Sequence, residues 1–396
     1  DTDRSRGLGD VYKRQMIQQF NMRNIELLLK MGYKVEVACN FEQGNTCARE
    51  QIENLKKELE NKNVVWHQID FARNVFCVRQ NFRAYQQLHR LFQHNTYAFV
   101  HCHSPIGGVL GRITAHKYKT KVIYTAHGFH FFKGAPFKNW MLFYPVEKLL
   151  SYYTDELLVI NREDYELAGK KFHMKHLTYL PGIGVNIDVS DNSEEEKHKK
   201  REELNIPVDA FMIIQVAEFT PNKNQQTVIK AIEEMANPEV FYVMCGIGPE
   251  KEALEKYVKE QKLNQNIRFA GFRSDIHELL QCADCFTLSS YREGLSVALM
   301  EAMAEGLPVV CSRIRGNVDL IEDGLGGYLV EPGNCRNYED AYKKMFAMWK
   351  GRQGQFATMG NCNRQKIKQF SAEAVDEIMR KVYGNKTDNI RNHGNL

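Results

Sequence analysis

The chain has 396 residues, 43% of them hydrophobic and 26% charged, with a formal net charge of +4. This length is too great for one ordinary core, so we expect two domains. The small net charge argues against a nucleic-acid-binding protein, and no apolar run is long enough to span a membrane. The ten cysteines lack the spacing of a disulfide scaffold. They indicate free thiols, and we expect a cytoplasmic protein.

Residues 1–15 show little apolar periodicity, unlike the chain that follows them. We interpret them as a non-native leader, with a genuine disordered leader as the alternative, and we expect them to be loosely packed. A helical pattern begins at Ile17 and is followed by an alternating strand pattern at Lys34–Cys39. A doubly wound sheet normally has a strand before such a helix. We therefore expect the first domain to lack its first strand.

Strand and helix patterns alternate along the rest of the chain, apart from a charged run between Asp188 and Lys200. This βαβ order predicts parallel sheets with right-handed crossovers. The fold class that follows is α/β, with two Rossmann-like, doubly wound parallel-sheet domains facing a cleft. The predicted domains are residues 16–187 and 188–368, followed by a helix at 369–384 that can pack back on the first domain and a disordered tail at 385–396.

Two carboxylates eight positions apart give the strongest chemical signal. Glu293 lies in a predicted strand-to-helix loop, and Glu301 lies about two turns into the helix, so both can face the same side. The free N–H groups of Leu295, Ser296 and Val297 fall at the helix N-terminus, where a pyrophosphate can bind. Carboxylates beside a diphosphate favour hydrogen bonds from sugar hydroxyls. We assign Glu293 to hexose hydroxyls and Glu301 to ribose hydroxyls; an ordinary amphipathic helix with solvated glutamates is the alternative.

The segment from Ser289 to Val310 resembles the donor-site signature of family 4 retaining glycosyltransferases, which have the GT-B fold. Residues 246–250, 269–272 and 323–332 add further matches in the same order, and the resemblance runs from about residue 16 to 383. Within that family the chain is similar to transferases of bacterial capsule and exopolysaccharide assembly. The resemblance implies an acceptor-side N-terminal domain and a donor-nucleotide-binding C-terminal domain.

Several residues of the second domain gain roles from this resemblance. Gly246 and Gly248 follow a strand and suit close backbone approach to the nucleotide, although a plain tight turn explains them equally well. Phe272 and Arg273 belong to a loop that holds a uracil-like base by main-chain contacts. Lys223 occupies the place of a phosphate-binding lysine and would stabilise the departing diphosphate.

The chain departs from the family pattern near this lysine. The family usually has an arginine a few residues earlier, where this sequence has Glu218. Either another cation substitutes for that arginine, or Glu218 meets a different group of the donor. Ser296 also stands where many relatives carry a second glycine.

In the first domain, His127 follows an apolar strand, and the ends of such strands meet ligands in doubly wound folds. It resembles the family's active-site histidine near the donor hexose, with a structural histidine as the alternative. His103, at the end of the previous strand, is a weaker candidate for acceptor contact. No Asp-x-Asp motif follows residue 15, so we expect no metal and no cofactor, with Lys223 and the helix N-terminus acting on the diphosphate.

The resemblance implies retaining transfer of a hexose from a nucleoside-diphosphate sugar, UDP-linked in our prediction, to a lipid-linked or saccharide acceptor in surface polysaccharide synthesis. The catalytic residues would be His127, Glu293 and Lys223. The alternatives are a UDP-sugar 2-epimerase of the same fold and a non-catalytic sugar-nucleotide-binding subunit. Residues 129–150 combine aromatic residues with lysines and suit peripheral contact with the inner face of the cytoplasmic membrane, although core packing explains them as well.

Overall fold

A computed structural model of the protein describes residues 6–11, 21–42, 49–72, 74–188 and 192–384. The chain divides into two compact units. The first unit comprises Asp1–Ile183 with Val375–Leu396, and the second comprises Gly184–Ala374. The predicted tail at 385–396 lies outside the described residues.

The first unit contains a parallel sheet, seven-stranded within the described ranges, in the order β3-β2-β1-β4-β5-β6-β7. Its strands are β1 (Arg6–Val11), β2 (Lys34–Cys39), β3 (Val65–Gln68), β4 (Tyr97–His103), β5 (Lys121–Ala126), β6 (Glu156–Val159) and β7 (His176–Tyr179). The helices between them are α1 (Met22–Lys30), α2 (Arg49–Asn61), α3 (Val78–His94), α4 (Pro105–Lys117), α5 (Phe137–Ser151) and α6 (Arg162–Lys171).

The sheet has the first strand that we expected it to lack. The backbone of Arg6–Val11 pairs in parallel with β2 on one side and with β4 on the other, in a central position. Strand pairing uses backbone N–H and C=O groups, so six residues without proline can complete the ladder whatever their apolar periodicity. Our prediction relied on that periodicity and was therefore wrong about the strand. The interpretation of residues 1–15 as a non-native leader stays a prediction, and the rest of that segment lies outside the described residues.

The second unit repeats the architecture with strands in the order β10-β9-β8-β11-β12-β13, all parallel. The strands are β8 (Phe211–Val216), β9 (Val240–Cys245), β10 (Ile267–Gly271), β11 (Cys285–Leu288), β12 (Val309–Ser312) and β13 (Gly327–Val330). The helices are α7 (Glu194–Glu203), α8 (Gln225–Met235), α9 (Lys251–Glu260), α10 (Ile276–Cys282), α11 (Val297–Ala304), α12 (Asn317–Leu320), α13 (Cys335–Lys350) and α14 (Gly354–Ile367).

Strand β8 illustrates why the sequence forms such a sheet. Phe211 and Ile213 belong to one buried cluster, and Met212 and Ile214 belong to another. Successive side chains of a strand point to opposite faces, so β8 contributes apolar side chains to both sides of the sheet. A parallel strand covered on both faces reads as a continuous apolar run, which is the pattern of this segment.

The last helix, α15 (Ala372–Gly384), belongs to the first unit from Val375 onward. Tyr383, near the end of this helix, is buried. Its hydroxyl oxygen lies 2.9 Å from Nδ1 of His101. The hydroxyl of Tyr33 donates to the carbonyl oxygen of Tyr383 at 3.2 Å, and Arg23 forms a 2.8 Å ion pair with Asp376. These contacts hold α15 against the rest of the first unit.

Candidate functional site

The loop between β8 and α8 carries Lys223 and is fixed by the loop that follows β11. The hydroxyl oxygen of Ser289 lies 2.9 Å from the carbonyl oxygens of both Lys223 and Asn224. The N–H of Tyr291 donates to the carbonyl oxygen of Asn222 at 2.8 Å. Because β8 and β11 are neighbours in a parallel sheet, the loops after them meet at the same edge.

Lys223 and Glu293 lie in direct contact at this edge. Nζ of Lys223 donates to Oε1 of Glu293 at 2.6 Å, and both side chains are largely buried. The structure thus brings together two residues that we assigned to catalysis. The carboxylate of Glu293 offsets the charge of Lys223, and a bound diphosphate would compete with Glu293 for the lysine.

Helix α11 begins a few residues after this pair. In the described chain, no acceptor lies within hydrogen-bond distance of the N–H groups of Leu295, Ser296 or Val297. Ser296 is the N-cap residue, and its hydroxyl accepts a 3.4 Å hydrogen bond from the N–H of Leu299. The serine therefore caps the helix but leaves the first N–H groups open, so a phosphate oxygen could bind there with the favourable helix dipole.

Glu301 lies further along α11 in a different environment from Glu293. Burial raises the pKa of its carboxyl group, as does nearby Glu305, while His277 lowers it. Within the described ranges the carboxyl oxygens accept no hydrogen bond. A partly buried carboxylate that receives no hydrogen bond in the described chain is well suited to accept hydrogen bonds from ligand hydroxyls.

Gly246 and Gly248 follow β9 and pack against the backbone after β8. A Cβ atom at Gly246 would lie 2.0 Å from the carbonyl oxygen of Ala217, and one at Gly248 would lie 2.3 Å from that of Phe219. Both glycines are therefore required by this close backbone packing, which corresponds to the tight-turn alternative. A contact with a nucleotide stays a prediction.

Phe272 and Arg273 have contrasting environments. The side chain of Phe272 is 77% exposed. Arg273 donates to both carboxylate oxygens of Asp275, at 2.7 and 2.6 Å, and to Glu203 at 2.6 Å. These ion pairs raise the pKa of Arg273 and hold that of Asp275 well below its usual range. The guanidinium therefore links this loop to α7 through an ion pair. The contact of the loop's main chain with a base stays a prediction.

Glu218, which stands where the family pattern has arginine, is exposed. Its carboxylate has no hydrogen-bond or ion-pair partner within the described ranges. No contact in the described part of the second unit therefore requires a glutamate at this position.

In the first unit, three histidines cluster at the ends of β4 and β5. Nδ1 of His103 lies 3.2 Å from Nε2 of His127, and Nε2 of His101 lies 2.8 Å from the hydroxyl of Thr125. Burial lowers the pKa of His101 to about 3 and that of His127 to about 4. Burial and the two neighbouring histidines also place the pKa of His103 well below its usual value. All three rings are therefore neutral near pH 7.

A cavity of about 20 Å³ opens beside these histidines, enough for about one water molecule. Asn21, which lines it, is buried, and its side-chain Nδ2 finds no acceptor in the described chain. Buried donors normally have partners, so a water or a polar ligand atom at this position would satisfy the amide. The predicted pair His103 and His127 thus borders a small space with room for about one water molecule.

We expect the buried histidines to make the protein less stable in acid. His101 has a lowered pKa when folded and about 6.5 when unfolded, so below pH 6.5 the unfolded chain binds more protons. The contribution is complete above pH 6.5 and falls by about 1.4 kcal/mol per pH unit as the pH drops toward 4. Urea unfolding followed by tryptophan fluorescence at pH 7 and pH 5 measures this slope. His101→Gln should flatten it, and the exposed-site control His198→Gln should not; an unchanged slope in His101→Gln would contradict the assignment.

Sequence reasoning missed the residues that position these groups. Ser289 fixes the Lys223 loop, and Thr125 and Tyr383 hold the ring of His101. A polar residue directly after a buried strand was a usable signal for Ser289. No local pattern identifies Tyr383, because it contacts His101 from 282 residues away.

Two absences apply only to the part of the chain that the structure describes. There, no group of three or more His, Cys, Asp or Glu side chains is arranged to hold a metal ion. Likewise, none of the described helices is both long and apolar enough to cross a membrane.

Comparison with known proteins supplies the family. Residues 196–355 match the family described as "Glycosyl transferases group 1", and residues 16–161 match "Glycosyl transferase 4-like". The chain is 38% identical over 315 residues to EpsD of Bacillus subtilis (strain 168), which is named as a glycosyltransferase. The match covers 77% of this chain and 81% of EpsD.

A second relative is the UDP-Gal:alpha-D-GlcNAc-diphosphoundecaprenol alpha-1,3-galactosyltransferase of Escherichia coli, 28% identical over 68% of this chain and 71% of the relative. Among solved structures, HepE of Anabaena in complex with UDP and glucose superposes with a TM-score of 0.76 at 17% identity, covering 96% of this chain and all of HepE. That likeness concerns the fold, and it agrees with the two parallel-sheet units described above. The chain belongs to the family 4-like glycosyltransferases, and its fold is GT-B.

Proposed function

We propose that this glycosyltransferase moves a hexose, with retention of anomeric configuration, from a UDP-sugar to a lipid-linked or saccharide acceptor in surface polysaccharide synthesis. The observation that carries the proposal is the Lys223–Glu293 ion pair beside the open N–H groups that begin α11. A cation and a helix N-terminus can together hold a diphosphate, and a neighbouring carboxylate can accept hydrogen bonds from sugar hydroxyls.

The relatives support this choice of substrates. The name of the Escherichia coli relative specifies UDP-Gal as donor and a sugar on diphosphoundecaprenol as acceptor. The crystal structure of HepE is a complex with UDP and glucose. Both proteins handle UDP or a UDP-sugar, and one of them acts on a polyprenyl diphosphate.

Each site residue would have a distinct role in the transfer reaction. The acceptor hydroxyl attacks the anomeric carbon on the face that the diphosphate leaves, the bond from that carbon to the diphosphate oxygen breaks, and the leaving diphosphate takes the hydroxyl's proton. Lys223 and the N-terminus of α11 would offset the charge that grows on the diphosphate. Glu301 would hold the ribose hydroxyls, and Glu293 the hexose hydroxyls. His127 and His103 would contact the reacting sugars as neutral hydrogen-bonding groups.

The two alternative functions, a UDP-sugar 2-epimerase and a non-catalytic sugar-nucleotide-binding subunit, predict different products. The relatives named above are transferases, which favours transfer over epimerisation at C2 of the sugar nucleotide. A non-catalytic binding subunit would bind the donor without turning it over.

The proposal is tested by incubating the purified protein with a panel of UDP- and GDP-sugars and a polyprenyl-diphosphate saccharide. We expect a lipid product longer by one hexose, with release of UDP, analysed by mass spectrometry and by the anomeric coupling constant. An epimerised sugar nucleotide, an inverted linkage, or donor binding without turnover under every condition would each contradict it.

We also propose that transfer needs no metal ion, because Lys223 and the α11 N–H groups can supply the positive charge. Activity should therefore persist in excess EDTA. Complete loss of activity with EDTA, restored by Mn²⁺ or Mg²⁺, would contradict this part of the proposal while leaving the transferase assignment in place.

A cytoplasmic location with peripheral contact at the inner face of the cytoplasmic membrane completes the proposed function. A lipid-linked acceptor would be presented at that face, so the protein would need a surface that meets the bilayer.

A further inference from the structure

Exposed apolar side chains are concentrated in one part of the first unit. Over half of the large apolar side chains that are exposed in the described ranges lie between residues 75 and 152. Contiguous exposed apolar surface on a soluble protein commonly marks an interaction site.

Helix α5 contributes the largest share of this surface. Phe137, Met141 and Leu149 are 76%, 63% and 61% exposed, and the steps of four and eight residues between them place them on one face of the helix. Leu142, Val146 and Tyr152 are also exposed. The other side of the helix is apolar as well, since its aromatic residues Trp140, Phe143 and Tyr144 pack on the core. Core packing therefore explains Trp140, Phe143 and Tyr144 but not the exposed face of α5.

The start of α3 adds a second group of apolar side chains. Phe76 and Val78 are each 72% exposed, and Phe82, one turn further on, is 59% exposed. Val75 beside them is exposed as well. Large apolar residues are thus presented to solvent at the N-terminal end of this helix.

Helices α3, α4 and α5 form one layer. Each connects strands in the same direction across the sheet, from β3 to β4, β5 and β6, and α6 does so from β6 to β7, so right-handed crossovers place these helices on one face. Accordingly, α3 contacts α4, and α4 contacts α5. Ile113 of α4 is exposed between the other two helices. We call the outer side of α3, α4 and α5 the basic–apolar surface.

The exposed charges on α3, α4 and α5 have one sign, whereas the neighbouring α6 carries both signs, with Glu163 and Glu166 among its acidic residues. The exposed or partly exposed Lys and Arg residues of α3, α4 and α5 are Arg79, Arg83, Arg90, Lys117, Lys138 and Lys148. Glu147 is the single Asp or Glu in the three helices, and it is buried in a 2.8 Å ion pair with Arg112. Arg83 pairs with Asp70, outside the layer. Since the whole chain has 53 basic and 49 acidic residues, this excess of positive charge is a local feature.

We propose that the basic–apolar surface docks the protein on an anionic lipid bilayer, an inference that rests on the proposed lipid-linked acceptor. Apolar side chains would enter the boundary between headgroups and acyl chains, while lysine and arginine side chains meet the anionic headgroups. A second copy of the chain is a poorer occupant, because a symmetric contact through this surface would bring like charges together.

The position of the surface fits delivery of an acceptor. Helices of parallel βαβ units begin at the carboxyl edge of the sheet, so the exposed residues at the starts of α3 and α5 lie toward that edge. His103 and His127 lie at the ends of β4 and β5 on the same edge. A membrane bound at this surface would hold lipid-linked saccharides on the side of the first unit where the histidine cluster lies.

Sedimentation of the full-length protein with vesicles tests the proposal. We expect binding to vesicles containing phosphatidylglycerol and much weaker binding to pure phosphatidylcholine, with the difference reduced by salt. Two double variants should each weaken binding to the anionic vesicles about tenfold or more: Phe137→Ser with Leu149→Ser, and Arg79→Glu with Lys138→Glu. The matched control is Val208→Ser with Lys230→Glu, which changes exposed residues of the second unit.

Activity with two acceptors separates this inference from the proposed function. The variants should keep transfer to a short-chain, water-soluble acceptor and lose transfer to the vesicle-embedded one. Unchanged vesicle binding in both variants, or a wild-type protein that ignores anionic vesicles, would overturn the docking surface whatever the activity. Dimerisation of the wild type that the variants abolish would assign the surface to a second copy instead. Vesicle binding without transfer to either acceptor would leave the surface standing and contradict the proposed function.

Discussion

Lys223→Ala should lower turnover about 10²–10³-fold while weakening sugar-nucleotide binding much less. The lysine's charge matters most in the transition state, when negative charge accumulates on the leaving diphosphate. Because Lys223 forms an ion pair with Glu293 at 2.6 Å, part of its attraction for the diphosphate is offset, and its net contribution to ground-state binding is reduced. Turnover at saturating donor, measured together with the donor's dissociation constant by calorimetry, separates the two effects.

Position 218 provides a rescue experiment. Because the side chain of Glu218 is exposed and its carboxylate has no partner in the described chain, Glu218→Arg breaks no side-chain contact of the folded unit. If the position points toward the phosphates, this arginine should partly restore turnover in Lys223→Ala. A double variant worse than the single one would indicate that position 218 meets a sugar or another group. Lys230→Ala, at an exposed lysine of α8, is the control. Wild-type turnover in Lys223→Ala would mean that the N-terminus of α11 holds the diphosphate without the lysine.

Glu301→Gln should weaken binding of the nucleoside diphosphate by about 1.5–3 kcal/mol, the size of a charge-assisted hydrogen bond. This corresponds to roughly a tenfold to 150-fold higher dissociation constant in calorimetry. The fold should be unaffected, because burial already disfavours the charged carboxyl group and glutamine has nearly the same shape.

Two measurements qualify the Glu301 result. The urea midpoint should be equal to or slightly above that of the wild type, which excludes loss of binding through unfolding. Glu252→Gln, at an exposed glutamate of α9, should leave affinity unchanged. Unchanged affinity in Glu301→Gln would remove this residue from the nucleotide site.

The parallel architecture could be predicted from the sequence because both faces of each sheet are covered. Segments such as Phe211–Val216 then appear as short apolar runs between helical patterns, and their alternation identifies the fold class. The central strand Arg6–Val11 escaped this reasoning because its role depends on backbone pairing with β2 and β4. Apolar periodicity carries little information about a segment of that kind.

The residues of the candidate site could be predicted from the sequence, but the contacts between them could not. Lys223 and Glu293 are 70 positions apart, and only the adjacency of β8 and β11 brings their loops together. The ion pair of Arg273 with Glu203 was hidden for the same reason, since it depends on where α7 packs. Local spacing can identify a helix N-terminus, but pairing between loops requires the strand order.

The discontinuity of the first unit has a consequence for biosynthesis. The second unit is one uninterrupted stretch, Gly184–Ala374, whereas the first needs the residues from Val375 onward. During translation the second unit can therefore be complete while the first still awaits its final helix. Until Tyr383 has left the ribosome, Nδ1 of His101 lacks its 2.9 Å partner. The nascent first unit would thus stay open around its histidine cluster until the residues of α15 become available to close it.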